Sequence, residues 1–87
     1  MKEVYLIEID GKVSQEGYDN LEDAQKYMKY KAEVMNTYKF LKPQIGITSA
    51  TYFVDTGNRG FNDPFKERII RILFIRIKKG VENVNKE

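Results

Sequence analysis

The segment KERIIRILFIRIKK (residues 66–79) is the most apolar stretch of this 87-residue chain, and it largely decides the fold. Its β-branched and aromatic residues are typical of a strand. Because neighbouring side chains of a strand point to opposite faces, this strand is apolar on both of them. One face carries Ile69, Leu73, Ile75 and Ile77, and the other carries Ile70, Ile72 and Phe74. Strands of this kind are usually buried on both faces.

A second two-sided apolar run, residues 4–9, ends at an Asp-Gly pair (residues 10–11). Asp-Gly between two extended runs predicts a hairpin with a type I′ turn, because both central residues of that turn need positive φ. The hairpin would place Tyr5 opposite Glu16. Residues 12–18 then form a polar strand, as is typical of a sheet edge.

Residues 21–40 have the pattern of one amphipathic helix. Asn20 is placed to cap its N-terminus, and acidic residues follow in the first turn, where they favour the helix dipole. Pro43 prevents the helix from continuing further. The face that would pack on a sheet carries Leu21, Ala24, Met28, Ala32 and Met35.

A further strand is predicted over residues 44–54, and residues 55–64 form a connection rich in turn-forming residues. We therefore expect one α+β domain over residues 1–79, with the element order ββαββ. Its sheet would have four strands, largely antiparallel, with one helix packed on one face. Residues 80–87 are expected to form a flexible polar tail.

One helix covers one face of a sheet, so an apolar face is left without a cover. We expect a homo-oligomer, most simply a dimer formed through this second face. The interface candidates are Val4, Leu6, Tyr30, Ile70, Ile72 and Phe74. The alternative is that residues 55–64, with Phe61 and the adjacent Phe65, fold back over this face.

The composition excludes several kinds of chemistry. The chain contains no cysteine and no histidine, so it cannot form a disulfide, a Cys/His zinc site, a cysteine nucleophile or a histidine base. The carboxylates Asp55 and Asp63 bracket a loop but do not match a calcium-binding loop. We therefore expect no enzymatic activity, no cofactor and no metal site.

The loop TGNRG (residues 56–60) is a candidate anion site. Gly57 and Gly60 could turn backbone N–H groups toward an anion, and Arg59 could donate two hydrogen bonds. With four strands, this loop would lie at the N-terminal end of the helix, which also favours anions. The alternative is a solvated hairpin loop, because the acidic residues at the helix start would repel an anion.

Arg68, Arg76 and Lys78 would share a sheet face with Phe74, which is how several single-strand-binding modules hold nucleic acid. The alternative is that these cations only keep the ends of an apolar strand soluble. The net charge of +2 does not decide between the two.

The leading hypothesis is a small non-enzymatic interaction protein that self-associates and binds another protein. The alternative is a module that binds nucleic acid, or a nucleotide or phosphate, through residues 66–79 and 56–60. Lys, Ile, Asn, Tyr and Phe supply 37 of the 87 residues, which indicates an AT-rich genome and is compatible with a phage or mobile-element origin. Because no signal peptide or membrane-spanning run is recognisable, we expect a cytoplasmic location and no membrane partner.

Overall fold

The computed structural model describes residues 2–58 and 62–77, which form one α-helix packed on an antiparallel five-stranded sheet. The sheet order is β2-β1-β5-β4-β3. The elements in chain order are β1 (Lys2–Ile9), β2 (Lys12–Tyr18), α1 (Leu21–Met35), β3 (Gln44–Ile45), β4 (Ser49–Asp55) and β5 (Phe65–Ile77). The predicted α+β class, with one helix on an antiparallel sheet, is confirmed, but the sheet has a fifth strand. The predicted tail, residues 80–87, lies outside the described residues.

The β1–β2 hairpin forms as the Asp-Gly pair predicts, with positive φ at both Asp10 (53°) and Gly11 (84°). Its register then shifts between Leu6 and Glu8. The irregularity places Tyr5 opposite Tyr18, so the predicted pairing of Tyr5 with Glu16 is wrong. We call the end of the sheet with this turn the upper end, and the end where α1 begins the lower end.

The helix begins as predicted, because the side chain of Asn20 accepts a hydrogen bond from the backbone N–H of Asp23 at 2.9 Å. Its sheet-facing side buries Ala24, Met28 and Ala32 completely, as the sequence pattern predicts.

The helix ends at Met35 and not near residue 40, because Asn36 leaves the helical conformation (φ −78°, ψ 89°). The buried Asn36 side chain donates a hydrogen bond to the carbonyl of Leu41 (2.8 Å) and accepts one from the N–H of Phe53 (2.7 Å). Tertiary hydrogen bonds to β4 and to the following loop therefore replace the next helical turn.

The strand predicted over residues 44–54 is in fact a short hairpin. The N–H of Gly46 donates to the carbonyl of Ser49 at 2.8 Å and closes a tight turn between β3 and β4. A Cβ on Gly46 would lie 2.9 Å from that same oxygen, so the turn requires glycine. Because the hairpin reverses the chain, β4 leads toward the C-terminal end of α1, where the N–H of Asp55 donates to the Thr37 hydroxyl (2.9 Å).

The core lies between α1 and the middle of the sheet, where Ile7, Met28, Tyr52 and Ile70 are fully buried. The Tyr52 hydroxyl donates a hydrogen bond of 2.9 Å to the carboxylate of Asp10, which ties the β1–β2 turn to β4. Burial, helped by this hydrogen bond, raises the pKa of Tyr52 to about 12.

Candidate interaction surface

Two of the predicted interface residues, Ile70 and Ile72, belong to the core and not to an exposed face. They are 0% and 8% exposed. Ile72 pairs with Ile7 across β5 and β1, and directly paired residues share a face, so both point toward the helix. Val4 pairs with Ile75 and points to the other face. The prediction that Ile70 and Ile72 share one face with Val4 and Leu6 is therefore wrong.

The face without a helix carries two cross-strand apolar pairs at its lower end. Val4 pairs with Ile75, and Leu6 pairs with Leu73. All four side chains are partly accessible, and Ile75 is 41% exposed. We call these four residues the helix-free patch. It contains Val4 and Leu6, two of the predicted interface residues.

Part of the upper half of the same face, around Phe53, is covered by the protein itself. After the helix, the chain crosses the edge of β4, where the N–H of Tyr38 donates to the carbonyl of Phe53 (3.0 Å). Tyr38, Phe53 and Phe65 then pack with ring centroids 5.0–5.4 Å apart. The covering ring comes from Tyr38, after the helix, and Phe65 belongs to β5 itself. The alternative, in which residues 55–64 fold back over this face, stays a prediction, because Phe61 lies outside the described residues.

An ion pair separates the helix-free patch from the covered half. The Arg71 guanidinium lies 3.8 Å from the Glu8 carboxylate, directly across the two central strands. Because the Arg71 side chain is mostly exposed, the pair contributes little to stability. The pair does place one positive and one negative charge at the border of the patch.

The remaining interface candidates lie on the helix side of the sheet. Tyr30 is 58% exposed on the outer surface of α1, with its ring 6.5 Å from that of Tyr27. Phe74 lies below the area that the helix covers, in contact with the ring of Tyr5 at 5.1 Å. The Arg76 guanidinium lies 5.5 Å from the Phe74 ring, a cation–π geometry.

The central strand β5 is longer than the strands beside it and extends beyond both of them. On the β4 side, the hydrogen bond nearest the lower end runs from the N–H of Ile72 to the carbonyl of Thr48 (2.8 Å). Backbone groups of alternate strand residues point to the same side, so those of Phe74 and Arg76 also point toward β4. No strand of the described chain lies there. We call this edge, bounded above by the β3–β4 turn, the lower notch.

Sequence reasoning missed the lower notch because it depends on where each neighbour ends. The only signal was length, since β5 spans 13 residues and β4 spans 7. A strand of 13 residues must extend past a neighbour of 7 residues at one end or at both.

The described part of the glycine loop hydrogen-bonds to itself. The N–H of Gly57 donates to the Asp55 carboxylate (2.8 Å), and the Thr56 hydroxyl donates to the carbonyl of Asp63 (2.6 Å). The loop also lies at the C-terminal end of α1, so its predicted position at the N-terminal end is wrong. A helix C-terminus carries negative partial charge and disfavours anions. Arg59 and Gly60 lie outside the described residues.

The cations of β5 do not gather into one surface in the described part of the chain. Arg68 and Arg76 share a face, but the buried Ile70 and Ile72 lie between them and eight positions correspond to roughly 26 Å. Arg76 is also 3.6 Å from the Glu3 carboxylate. Lys78 lies outside the described residues.

Among residues 2–58 and 62–77, no three acidic side chains come together in a group that could hold a metal ion. Within the same ranges, the helix is too short and too polar to cross a membrane. No protein-family model, curated protein or solved structure matches this chain.

Proposed function

We propose that this chain is a small non-enzymatic interaction protein that self-associates and binds another protein. The observation that carries the proposal is the helix-free patch, two apolar cross-strand pairs on a face that the helix does not cover. Removing this apolar surface from water favours association. The gain must exceed the entropic cost of binding, which other contacts at the interface help to offset.

The surroundings of the patch suggest the chemistry of the protein that covers it. The patch is narrow, because Val4, Leu6, Leu73 and Ile75 come from two adjacent strands. The Glu8–Arg71 pair borders it on the upper side with both signs of charge. A complementary surface is an apolar strip with polar groups at one end, such as one face of an amphipathic helix or strand.

The absence of cysteine and histidine gives the proposal its second support. Neither cysteine nor histidine occurs in the sequence. The two tyrosines with raised pKa values, Tyr18 and Tyr52, are shifted mainly by burial, which keeps them protonated and unreactive at neutral pH.

The patch is tested directly with a dye that fluoresces on exposed apolar surface. We expect the native protein to bind the dye and Leu6→Glu to lose most of that binding. Val34→Glu is the matched control, because Val34 is 56% exposed on the helix and far from the patch. Equal dye binding by all three proteins would contradict the assignment.

Self-association and partner binding need separate measurements. Sedimentation at tens of micromolar should give a mass above the 10.2 kDa of one chain. In capture experiments from the source cells, the native protein and Val34→Glu should retain the same protein, and Leu6→Glu should not. A strict monomer would remove the first half of the proposal, and identical capture by Leu6→Glu would remove the second.

Nucleic-acid binding has less support than protein binding. Its best remaining feature is the Arg76–Phe74 contact, but Glu3 partly neutralises Arg76. Binding through cations would weaken steeply as salt rises. Affinity for a single strand that falls with salt and is reduced by Arg76→Gln would favour this alternative.

A further inference from the structure

We propose that two copies of this chain join through β5, each inserting the lower part of this strand into the lower notch of the other. The inference rests on the proposed self-association and identifies the contact that produces it. The joined strands run antiparallel, and the two-fold axis passes through Ile75. The helix-free patch then stays available for the other protein.

Backbone polarity limits the register to those in which the residues that point into the notch lie opposite each other. In an antiparallel pair, residues that exchange hydrogen bonds alternate with residues that do not. Phe74 and Arg76 direct their N–H and C=O groups into the notch, whereas Ile75 directs its own toward β1. Centring the axis on Ile75 places Phe74 opposite Arg76 of the second copy, so each can exchange two hydrogen bonds with its opposite residue.

The side chains agree with the same register. Phe74 and Arg76 lie on one face, and within one copy the guanidinium already lies 5.5 Å from the ring. Pairing across the axis would bring each ring beside the Arg76 of the second copy, which is another cation–π contact. On the opposite face, Ile75 meets its own equivalent, an apolar cross-strand pair. Glu3 lies 3.6 Å from Arg76 and reduces repulsion between the two arginines.

The fit of the chain to itself favours a second copy over an unrelated peptide. The notch begins below Thr48, the last residue bonded to β5 from the β4 side, and the described part of β5 runs to Ile77. The two-fold axis places residues 73–77 of one strand along residues 73–77 of the other. An unrelated peptide could also fill the notch, but it would not supply the Phe74–Arg76 and Ile75–Ile75 pairs that the two-fold axis creates. Ile47, which is 72% exposed, borders the notch in the β3–β4 turn.

The pairing would create one sheet of ten strands, five from each copy. An axis perpendicular to the sheet keeps equivalent faces on the same side. The two helix-free patches would therefore lie side by side on one face. A protein that covers both would gain from the effective concentration of two linked sites.

Engineered cysteines test the register, because the chain has no cysteine of its own. Ile75→Cys should form an intermolecular disulfide under mild oxidation, since facing residues without exchanged hydrogen bonds have Cα atoms about 4.5 Å apart, within disulfide range. A mixture of Phe74→Cys and Arg76→Cys proteins should give mainly the mixed disulfide. Leu6→Cys is the control, because Leu6 lies on β1, away from the proposed contact.

These cross-links separate the possible failures. If Leu6→Cys cross-links efficiently and the 74–76 mixture does not, the copies stack through their helix-free faces. The inference is then overturned, while self-association survives. If the native protein sediments as a monomer at all concentrations, both the inference and the proposed self-association are overturned.

A backbone substitution gives a second test that does not depend on oxidation. Arg76→Pro removes an N–H that points into the notch and leaves the pairing of β5 with β1 intact, as at a free sheet edge. We expect Arg76→Pro to sediment as a folded monomer and Arg76→Ala to remain dimeric. A dimer of unchanged affinity in Arg76→Pro would overturn the inference. If Arg76→Pro loses its native circular dichroism, the cysteine pairs alone decide.

Discussion

The two ends of β5 extend beyond their neighbours in the same way but differ in composition. At the upper end, the last hydrogen bond on the β1 side joins the N–H of Asp10 to the carbonyl of Ile69 (3.2 Å). The strand residues above it are Phe65-Lys66-Glu67-Arg68. At the lower end, the strand residues past the Ile72–Thr48 hydrogen bond are Leu73-Phe74-Ile75-Arg76-Ile77.

Charge distinguishes the two ends. Three consecutive charged residues follow Phe65 at the upper end, and Pro64 precedes it. Charged residues and proline are the usual means by which proteins prevent an edge from pairing with another chain. Within the described part of the strand, the lower end carries one charge, Arg76, and Glu3 lies beside it, while Lys78 and Lys79 follow in the sequence. The comparison indicates that, within the described residues, the upper end of the strand edge carries more protecting charge than the lower end.

The upper end also has internal supports that the lower end does not share. Asn36 holds the crossing segment against β4, and the Tyr52–Asp10 hydrogen bond holds the β1–β2 turn. Removing these supports should leave the upper end without internal stabilisation, like the lower end. Adding charge to the lower end should protect its edge from pairing, as charge protects the upper end.

The largest effect is expected from Asn36→Leu. It leaves the N–H of Phe53 and the carbonyl of Leu41 without their side-chain partner in a largely buried place. Two unsatisfied groups should lower the free energy of unfolding by about 3 kcal/mol. Urea unfolding measures this, with the exposed Asn62→Leu as the control, which should change stability by less than about 0.5 kcal/mol. Equal losses in both variants would show that Asn36 does not hold the crossing segment.

Tyr52 should make stability depend on pH above 10. Its pKa is 10.0 when unfolded and about 12 when folded, so the fold favours the neutral phenol. This contribution is complete below pH 10 and is lost as the pH rises toward 12. Between those values the native protein should lose about 2 kcal/mol more stability than Tyr52→Phe. Parallel curves for the two proteins, measured by urea unfolding, would contradict the assignment.

Adding charge to the lower end should weaken self-association. Ile75→Lys places two like charges across the proposed axis, and we expect the dissociation constant to rise at least about tenfold, or 1.4 kcal/mol. The exposed Ile69 at the upper end gives the control, because Ile69→Lys adds the same charge to the same face away from the axis. Sedimentation at several concentrations measures both. An equal effect from Ile69→Lys would mean that net charge and not position matters.

Removing charge from the upper end should have the smallest and opposite effect. Glu67→Val deletes one of the residues that protect the upper edge, and its backbone groups face the vacant β1 side. We expect a minor population of species larger than the native oligomer, visible by light scattering at high concentration. If Glu67→Val scatters as the native protein does, Lys66 and Arg68 are sufficient protection.

The features that the sequence predicts well are local. The Asp10-Gly11 turn and the Asn20 cap need only residues within a few positions of each other. The end of the helix depends on a hydrogen bond from Asn36 to Phe53, 17 positions away, and no local signal marks it. The β3–β4 turn at Gly46 also lacks an Asn-Gly or Asp-Gly pair.

The candidate site shows the same contrast between local features and those that depend on distant residues. Two-sided apolar patterning correctly indicates that β1 and β5 present apolar residues to both faces. It cannot say which face of β5 joins which face of β1, because a shift of one residue exchanges the two sets. The register that pairs Val4 with Ile75 is set by contacts more than 60 positions apart. For this reason the sequence pattern predicts the wrong face for Ile70 and Ile72.

The place of β5 in the middle of the sheet has a consequence for how the chain folds. During synthesis, the β1–β2 hairpin, the helix and the β3–β4 hairpin all emerge before the strand that joins them. Each hairpin can close quickly, but the contact of β1 with β5 must close a loop of most of the chain. We expect sheet formation to wait for residues 65–77 and then to proceed in one cooperative step, with the two-stranded pieces exposed to misassociation until that strand arrives.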